Sequence, residues 1–510
     1  MTAWLNDLRY SANVFRTRPL YAAVIVLVLA VAIGANATVF AVFNGLFLRP
    51  LPYPEGDRLV MVYDAYPLIG LDNAGTAIPD YLERRAEARS LKDLAIVRMQ
   101  ARTLTGEGPS ERLLVANASA SLFDVLRTEP ALGRRFTEAE TEAGDGRLAV
   151  LSHRLWRTRF GAEADIVGRQ IRLDDETVRI LGVMPEHFGF PSRSIDAWLP
   201  FIITPEQRSD AARGVQFSTS VGRLREGATI ESLNAELDAI VRRNVAEGRI
   251  GADAVDEAGF TGRAAPLRES RVGDLDRMVL VLLASVGAVL LIACANVANL
   301  QLARVAGRGR ELAIRAVIGA GRMRLVRLVV LESVLLALIG AAVGLLLAHG
   351  GLALVRGLGL ERDGFELALD GRVVVFTFAA ALLAAVVASL PPLLALVGDG
   401  AMPILREAGR HGGGGRRTQL LRDGLVVAQI SLGVALLVGA GLLLKSFYLL
   451  QQEGTGFDAN SVWTAQVSLP RSAAAQRADW ASFHQRALET LRALPGATAA
   501  AYTSVLPCRR

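Results

Sequence analysis

A chain of 510 residues, 52% of them hydrophobic and 21% charged, with a mean hydropathy of +0.34, is too apolar to be disordered and long enough for a membrane domain plus a soluble one. Its net charge of +6 comes from arginine, Lys92 and Lys445 being the only lysines, and the arginines gather in short loops between apolar runs, which excludes nucleic acid as a partner. Of the two cysteines, Cys294 lies in an apolar run and Cys508 near the end, which excludes a disulfide framework and leaves neither with a metal-ligand neighbour.

A bilayer core asks for about 20 apolar residues per helix. Five runs meet that length, at Tyr21–Phe43, Met278–Ala303, Leu328–Ala348, Val373–Val397 and Leu425–Leu450. Residues 1–19 are a short N-terminal segment and 20–43 the first membrane helix. The Ala35-Asn36-Ala37 triplet resembles a signal cleavage site, but the apolar stretch runs on through Val39, Phe40, Val42 and Phe43, longer than the roughly 7–15 residues of a signal core. The first run is therefore expected to stay as a membrane helix. Residues 44–277 form a large polar domain; 278–303, 328–348 and 373–397 are helices two to four, joined by loops 304–327 and 349–372. A linker at 398–424, marked by Gly412–Gly415, leads to the fifth helix at 425–450, and 451–510 begin a second external domain.

Loop charge orients the chain. Arg9, Arg16 and Arg18 precede the first run; Arg304, Arg308, Arg310, Arg315, Arg322, Arg324 and Arg327 crowd the loop between the second and third, against Glu311 alone. Arg406, Arg410, Arg416, Arg417 and Arg422 precede the fifth, whereas the 349–372 loop balances its arginines with Glu361, Asp363, Glu366 and Asp370. The positive-inside rule then puts the N-terminus in the cytoplasm and the large domain outside, in a multi-pass protein of the cell (inner) membrane.

The large domain reads as mixed α/β. Strands are expected at Arg58–Tyr63, Leu148–Ser152, Thr177–Val183 and Ala197–Phe201, and helices at Ile78–Arg89 and Thr229–Val245, the latter with an apolar stripe of Ile230, Leu233, Leu237 and Ile240. Thr229 to Ser232 does not read as a clean capping box. His153, His187, His349, His411 and His484 are scattered, so no metal, cofactor or catalytic site is expected and the chain is not read as an enzyme. Gly439 to Ser446 imitates the end of a phosphate loop, but Leu444 stands where glycine is needed and the stretch lies inside an apolar run; Lys445 reads as a snorkelling residue.

The strongest functional signal is the loop RVAGRGRELAIRAVIGAGRMRLVR at 304–327. Arg308, Glu311 and Arg315 fall on one helical face, beside an apolar face of Leu312, Ala316 and Gly319. Such a short amphipathic helix suits an interface, either docking a cytoplasmic partner or serving only as topogenic charge against lipid headgroups.

This loop and the apolar run after it, GRELAIRAVIGAGRMRLVRLVVLESVLLALIGAAVGLLLA at 309–348, resemble the FtsX-like permease domain of MacB-type ABC transporters, as does ACANVANLQLAR at 293–304. DLRYSANVFRTRP at 7–19 and GANATVFAVFNGLFLRPLPYP at 34–54 fit the same family; LGRRFTEAE, AVLSHRLWRTRFG, VGRQIRLD and ILGVMPEHFGFP, between 132 and 191, resemble its MacB-like periplasmic core domain. The resemblance is strongest to duplicated orphan permeases of the ABC-4 integral membrane type, with the second copy ending early. After Leu450 come a strand-like Ser461–Leu469, a helix-like Asp479–Leu494 and a stretch ending at Pro507.

The fold implied is a membrane protein with an α-helical transmembrane bundle of about five helices and a large α/β periplasmic domain. The function implied is that of a permease subunit in an ABC-type transport or efflux system, relaying ATPase motion to the external domain by mechanotransmission. In the family the loop between the second and third helices carries the coupling helix, which falls on Arg310, Glu311, Ala313, Arg315 and Gly319. The alternatives are an FtsX-like regulatory relay to an envelope enzyme and a scaffold working without an ATPase. The partners implied are membrane lipid, a separate cytoplasmic ABC ATPase, a second copy in a homodimer and an extracytoplasmic partner. Within the membrane, Asn36, Asn296 and Asn299 are expected to hydrogen-bond between helices, Gly340 and Gly344 to permit close packing, and Glu332, about one turn into the third run where snorkelling can reach the interface, to serve a structural or coupling role.

Overall fold

The computed structural model describes residues 19–106, 109–174, 176–272, 275–307, 322–357, 367–398, 416–452, 462–464 and 477–502. It divides into a membrane unit, residues 1–49 and 274–454, and a second unit, residues 50–273 and 455–510.

The membrane unit holds five helices long and apolar enough to cross a bilayer: Pro19–Leu48, Met278–Arg304, Arg327–Gly357, Gly371–Leu394 and Gln419–Leu449. Each coincides with an apolar run, and most overshoot it because polar flanks continue the helix. The last helix begins at Arg416 and the third at Arg322. The first four pack round a core in which Ala22, Ile25, Leu29 and Ile33 meet Cys294 and Val297, Leu336, Ala337 and Ala341, and Ala381, Ala384, Ala385 and Ala388. That core is rich in alanine, since without a hydrophobic drive in lipid, association rests on close van der Waals contact. The first helix is an integral part of it. Asn36 and Ala37, inside the cleavage-like triplet, are buried, and the Phe40 ring stacks on Phe376 at 3.8 Å. On the fifth span Val427, Leu437 and Leu443 are exposed, as lipid-facing residues are.

The second unit is built on one mixed sheet. Its strands are β1 (Leu59–Tyr66), β2 (Leu71–Gly75), β3 (Leu91–Thr105), β4 (Glu111–Ala118), β5 (Leu132–Gly133), β6 (Leu148–Leu151), β7 (Gln170–Leu173), β8 (Glu176–Val183), β9 (Ala197–Pro200), β10 (Thr219–Leu224) and β11 (Thr261–Pro266). They run in the order β11-β1-β10-β3-β4-β9-β6-β8-β5, with β2 on β1 and β7 bridging β3 and β8. Among the described residues only β4–β9 and β6–β8 pair parallel. The long β3 joins two halves, pairing with β10 through Leu91–Val97 and with β4 through Val97–Leu104. Apolar cores flank it: one around Phe123, Phe188 and Trp198 draws on both halves through Leu59, Val97, Val150 and Val221, one lies around Val60, Tyr81, Leu94 and Leu237, and one around Val115, Leu151 and Ile180.

All four expected strands fall on observed ones, and the expected helices appear at Ile78–Glu87 and Ile230–Ala246. One local expectation is overturned. Thr229 does open a capping box, because the Ser232 hydroxyl serves where glutamate is usual: the Ser232 amide donates to Thr229 Oγ1 and the Thr229 amide to Ser232 Oγ, both at 3.2 Å. In the C-terminal segment a helix forms at Arg477–Arg492, whereas residues 462–464, in the expected strand, have no regular secondary structure; the remainder of Ser461–Leu469 and the stretch ending at Pro507 lie outside the described residues.

The 78–87 helix is pinned by buried charge. Arg84, 1% exposed, donates to Asp64 at 2.5 Å. Arg213 pairs with Asp80, Asp210 and Glu83, and Glu83 also accepts from Arg243 at 2.5 Å and Asn244 at 2.6 Å. Desolvation, reinforced by the Asp64 carboxylate and opposed by Arg84 and Arg213, pushes the Asp80 carboxyl up to about 6. An acid whose folded pKa lies above its unfolded value binds its proton more tightly when folded. Its ionisation therefore weakens the fold as pH rises through about 4 to 6, and the domain gains stability from this group as pH falls from 7 toward 4. A rise from the ordinary aspartate value to about 6 corresponds to at most about 3 kcal/mol. Asp80→Asn, which leaves Arg213 its Glu83 and Asp210 contacts, is expected to match or exceed the parent in thermal stability at pH 7, with the difference vanishing near pH 4. Identical pH slopes between pH 5 and 7 for the two proteins would contradict this.

Candidate functional site

The loop residues Arg310, Glu311, Ala313, Arg315 and Gly319 lie outside the described residues. What is described is the pair of helices that carry the loop, ending at Gly307 on one side and starting at Arg322 on the other.

These two helices are joined by two adjacent polar contacts. Arg304 forms an ion pair with Glu332, their side chains 8% and 19% exposed. One turn deeper, Gln301 Nε2 donates to Ser333 Oγ at 2.9 Å, and Ser333 Oγ donates to the Val329 carbonyl at 2.8 Å. Helical spacing accounts for the pairing: residues 301 and 304 stand three apart on one face, and 332 and 333 are neighbours on the facing helix. The Arg304 guanidinium also lies 4.8 Å over the Tyr21 ring, which brings the first helix into the same cluster. The cluster lies at one end of the helix bundle, and the loop continues directly from it.

Glu332, expected to serve a structural or coupling role within reach of the interface, pairs here with Arg304. A carboxylate in a membrane segment needs either water or a partner, and Arg304 on the neighbouring helix is near enough to be one. Asn36 donates within its own helix to the Ala32 carbonyl at 2.9 Å and across to Val286 of the second helix at 2.8 Å. Asn296 accepts from Gln429 of the fifth helix at 3.3 Å. Asn299 Oδ1 is buried without a hydrogen-bond partner among the described residues.

Gly340 and Gly344 face the first helix. A Cβ on Gly340 would stand 3.0 Å from Leu29 Cβ, and one on Gly344 3.1 Å from the Ala30 carbonyl oxygen and the Gly34 nitrogen. Gly34 is the reciprocal position, where a Cβ would come within 2.9 Å of the Gly344 oxygen. Sequence reasoning missed Gly34 and the Arg304–Gln301–Ser333–Tyr21 cluster. Arg304 counts there only as topogenic charge, although an acid as far into a span as Glu332 signals a basic partner. Among the described residues no group of three or more His, Cys, Asp or Glu could hold a metal ion.

Two family models match the chain in succession. Residues 22–240 match the MacB-like periplasmic core domain and residues 283–400 the FtsX-like permease C-terminal domain. Among curated relatives, the macrolide export ATP-binding/permease protein MacB of Wolinella succinogenes is 25% identical over 298 residues, covering 57% of this chain and 44% of that protein. The uncharacterized ABC transporter permease YknZ of Bacillus subtilis is 26% identical over 226 residues, covering 44% and 53%. The pyoverdine export ATP-binding/permease protein PvdT of Pseudomonas syringae is 25% identical over 264 residues, covering 51% and 38%. The matched region thus spans about half, or less, of these relatives' own length. Among solved structures, the extracellular domain of YknZ is 14% identical, with a TM-score of 0.30, over 41% of this chain and 99% of that one. The periplasmic region of MacB from Actinobacillus actinomycetemcomitans is 10% identical with a TM-score of 0.29, over 44% and 93%.

Proposed function

Because the chain belongs to the MacB/FtsX-like family of ABC transporter permeases, we propose that it is the membrane subunit of an export system and passes the motion of a separate cytoplasmic ATPase to its extracytoplasmic domain. The observation that carries this reading is the double contact Arg304–Glu332 and Gln301–Ser333. It ties together the two helices that bear the loop at 304–327, so a push on that loop moves both as one body rather than bending one past the other. Two relatives are named export ATP-binding/permease proteins, and the external core domain is the part with the size and internal sheet to transmit displacement. In this reading the N-terminus and the 304–327 loop are cytoplasmic, and Arg310, Glu311, Ala313, Arg315 and Gly319 form the surface that meets the ATPase.

Purification in mild detergent is expected to retain an ABC ATPase. Arg315→Glu, in a loop that keeps Arg304, Arg308, Arg310, Arg322, Arg324 and Arg327 for orientation, should still insert normally. Charge reversal at a docking surface should lower the retained ATPase about tenfold or more. Undiminished retention of a demonstrated ATPase by the Arg315→Glu protein would leave the loop as topogenic charge only.

A further inference from the structure

The large domain leaves few big apolar side chains in water. Among its described residues they are Leu68, Ile69, Leu71, Met99, Val167 and Val215. Two of these, Ile69 and Leu71, line a groove of about 720 Å³, and Leu68 stands beside it, its amide donating to the carbonyl of the lining residue Ala258 at 3.2 Å. The groove lies between the turn leading into β2 and the short helix Ala252–Asp256. Among its polar groups the Tyr66 hydroxyl accepts from Gln216 Nε2 at 2.7 Å. A gathering of exposed apolar side chains on a soluble surface marks a contact site rather than a packing accident.

The charge around it has one sign. Asp253 and Glu257 line the groove, Asp72 adjoins Leu71, and no arginine or lysine lines it. Asp253 lies in the first turn of the Ala252–Asp256 helix, where the dipole favours a carboxylate, and Glu257, four residues on, caps the other end, where the dipole opposes one. Neither has an ion-pair partner among the described residues, unlike Glu83, Glu247 and Asp238 of the same domain. A cation brought from outside would pair with two carboxylates that the described residues leave without an ionic partner. Leu68 and Ile69 are 67% and 64% exposed, so the groove does not enclose its occupant as a small-molecule site does. Its occupant has to bring an apolar surface of its own.

We infer that this groove, lined by Ile69, Leu71, Asp253 and Glu257, docks a segment of a partner protein that presents lysine or arginine beside apolar side chains. The inference rests on the extracytoplasmic placement of the domain and not on ATPase coupling, so failure to recover an ATPase leaves it standing. The test uses the full chain in non-ionic detergent. The probe is a short fluorescein-labelled peptide of alternating lysine and leucine, with the glutamate–leucine counterpart and protein-free micelles as references. Saturable binding of the lysine peptide above the micelle baseline is expected, weakening with salt. Asp253→Asn with Glu257→Gln should lower its affinity about tenfold and flatten the salt dependence, and Leu68→Ser with Ile69→Ser should weaken it comparably. All four side chains are at the surface, so both variants should unfold at the parent temperature. Equal binding of the glutamate peptide, no binding above micelles, or parental affinity in both double variants would overturn the assignment.

Discussion

Glu332→Ala is expected to destabilise the membrane domain by about 3–5 kcal/mol, the scale for removing one partner of a buried ion pair. The loss arises less from the attraction given up than from Arg304, which would keep its charge at 8% exposure beside an apolar helix. Arg304→Ala should do the same to Glu332. Exchanging the two, with Arg304→Glu and Glu332→Arg together, should recover at least half of the loss, because the pair is restored across the same two helices. Cys294, 2% exposed in the bundle core, supplies the readout. In a Cys508→Ser background a thiol-reactive dye reports the temperature at which the bundle opens. If Glu332→Ala opened at the parental temperature, the pair would carry no stability and the rigid joint proposed for the loop would lose its basis. If the exchanged pair were no better than the single variants, the effect would lie in local packing rather than in charge.

Gly344→Leu should separate the first and third spans. The atoms a side chain would meet there are backbone, the Ala30 oxygen and the Gly34 nitrogen at 3.1 Å, and backbone cannot rotate aside. Overpacking of this kind costs about 1–3 kcal/mol, and the rigid neighbours place this site at the upper end. Gly34→Leu should act alike from the other side. Gly350 is the internal control: it lies on the same helix as Gly344, but a Cβ there has nothing within 4 Å. Gly350→Leu should therefore leave the Cys294 opening temperature within error of the parent. Equal effects at 344 and 350 would mean that helix propensity, not the helix crossing, sets the result.

Sequence reading succeeds here where one dimension carries the information. The span positions were legible because a bilayer of fixed thickness demands an apolar run of matching length, and the structure places a helix on each of the five. Strands at Leu59–Tyr66 and Glu176–Val183 showed through their β-branched and aromatic residues. The capping box at Thr229 was missed because its second member is Ser232, whose hydroxyl reaches the amide only when the turn has formed.

By itself, then, the sequence determined that this is a membrane protein with a large mixed α/β domain inserted between its first two spans, since chain length, polarity and local periodicity suffice for that. The tertiary structure decided which residues meet. The pairing of Gln301 with Ser333, 32 residues apart, and of Asn36 with Val286, 250 apart, depends on how each helix is rotated about its axis, and an apolar run surrounded by lipid has no period that records rotation. Likewise the placement of β1 between β10 and β11 brings Tyr66 beside Gln216, because sheet order depends on which edges close over a shared core and not on the strands' own composition.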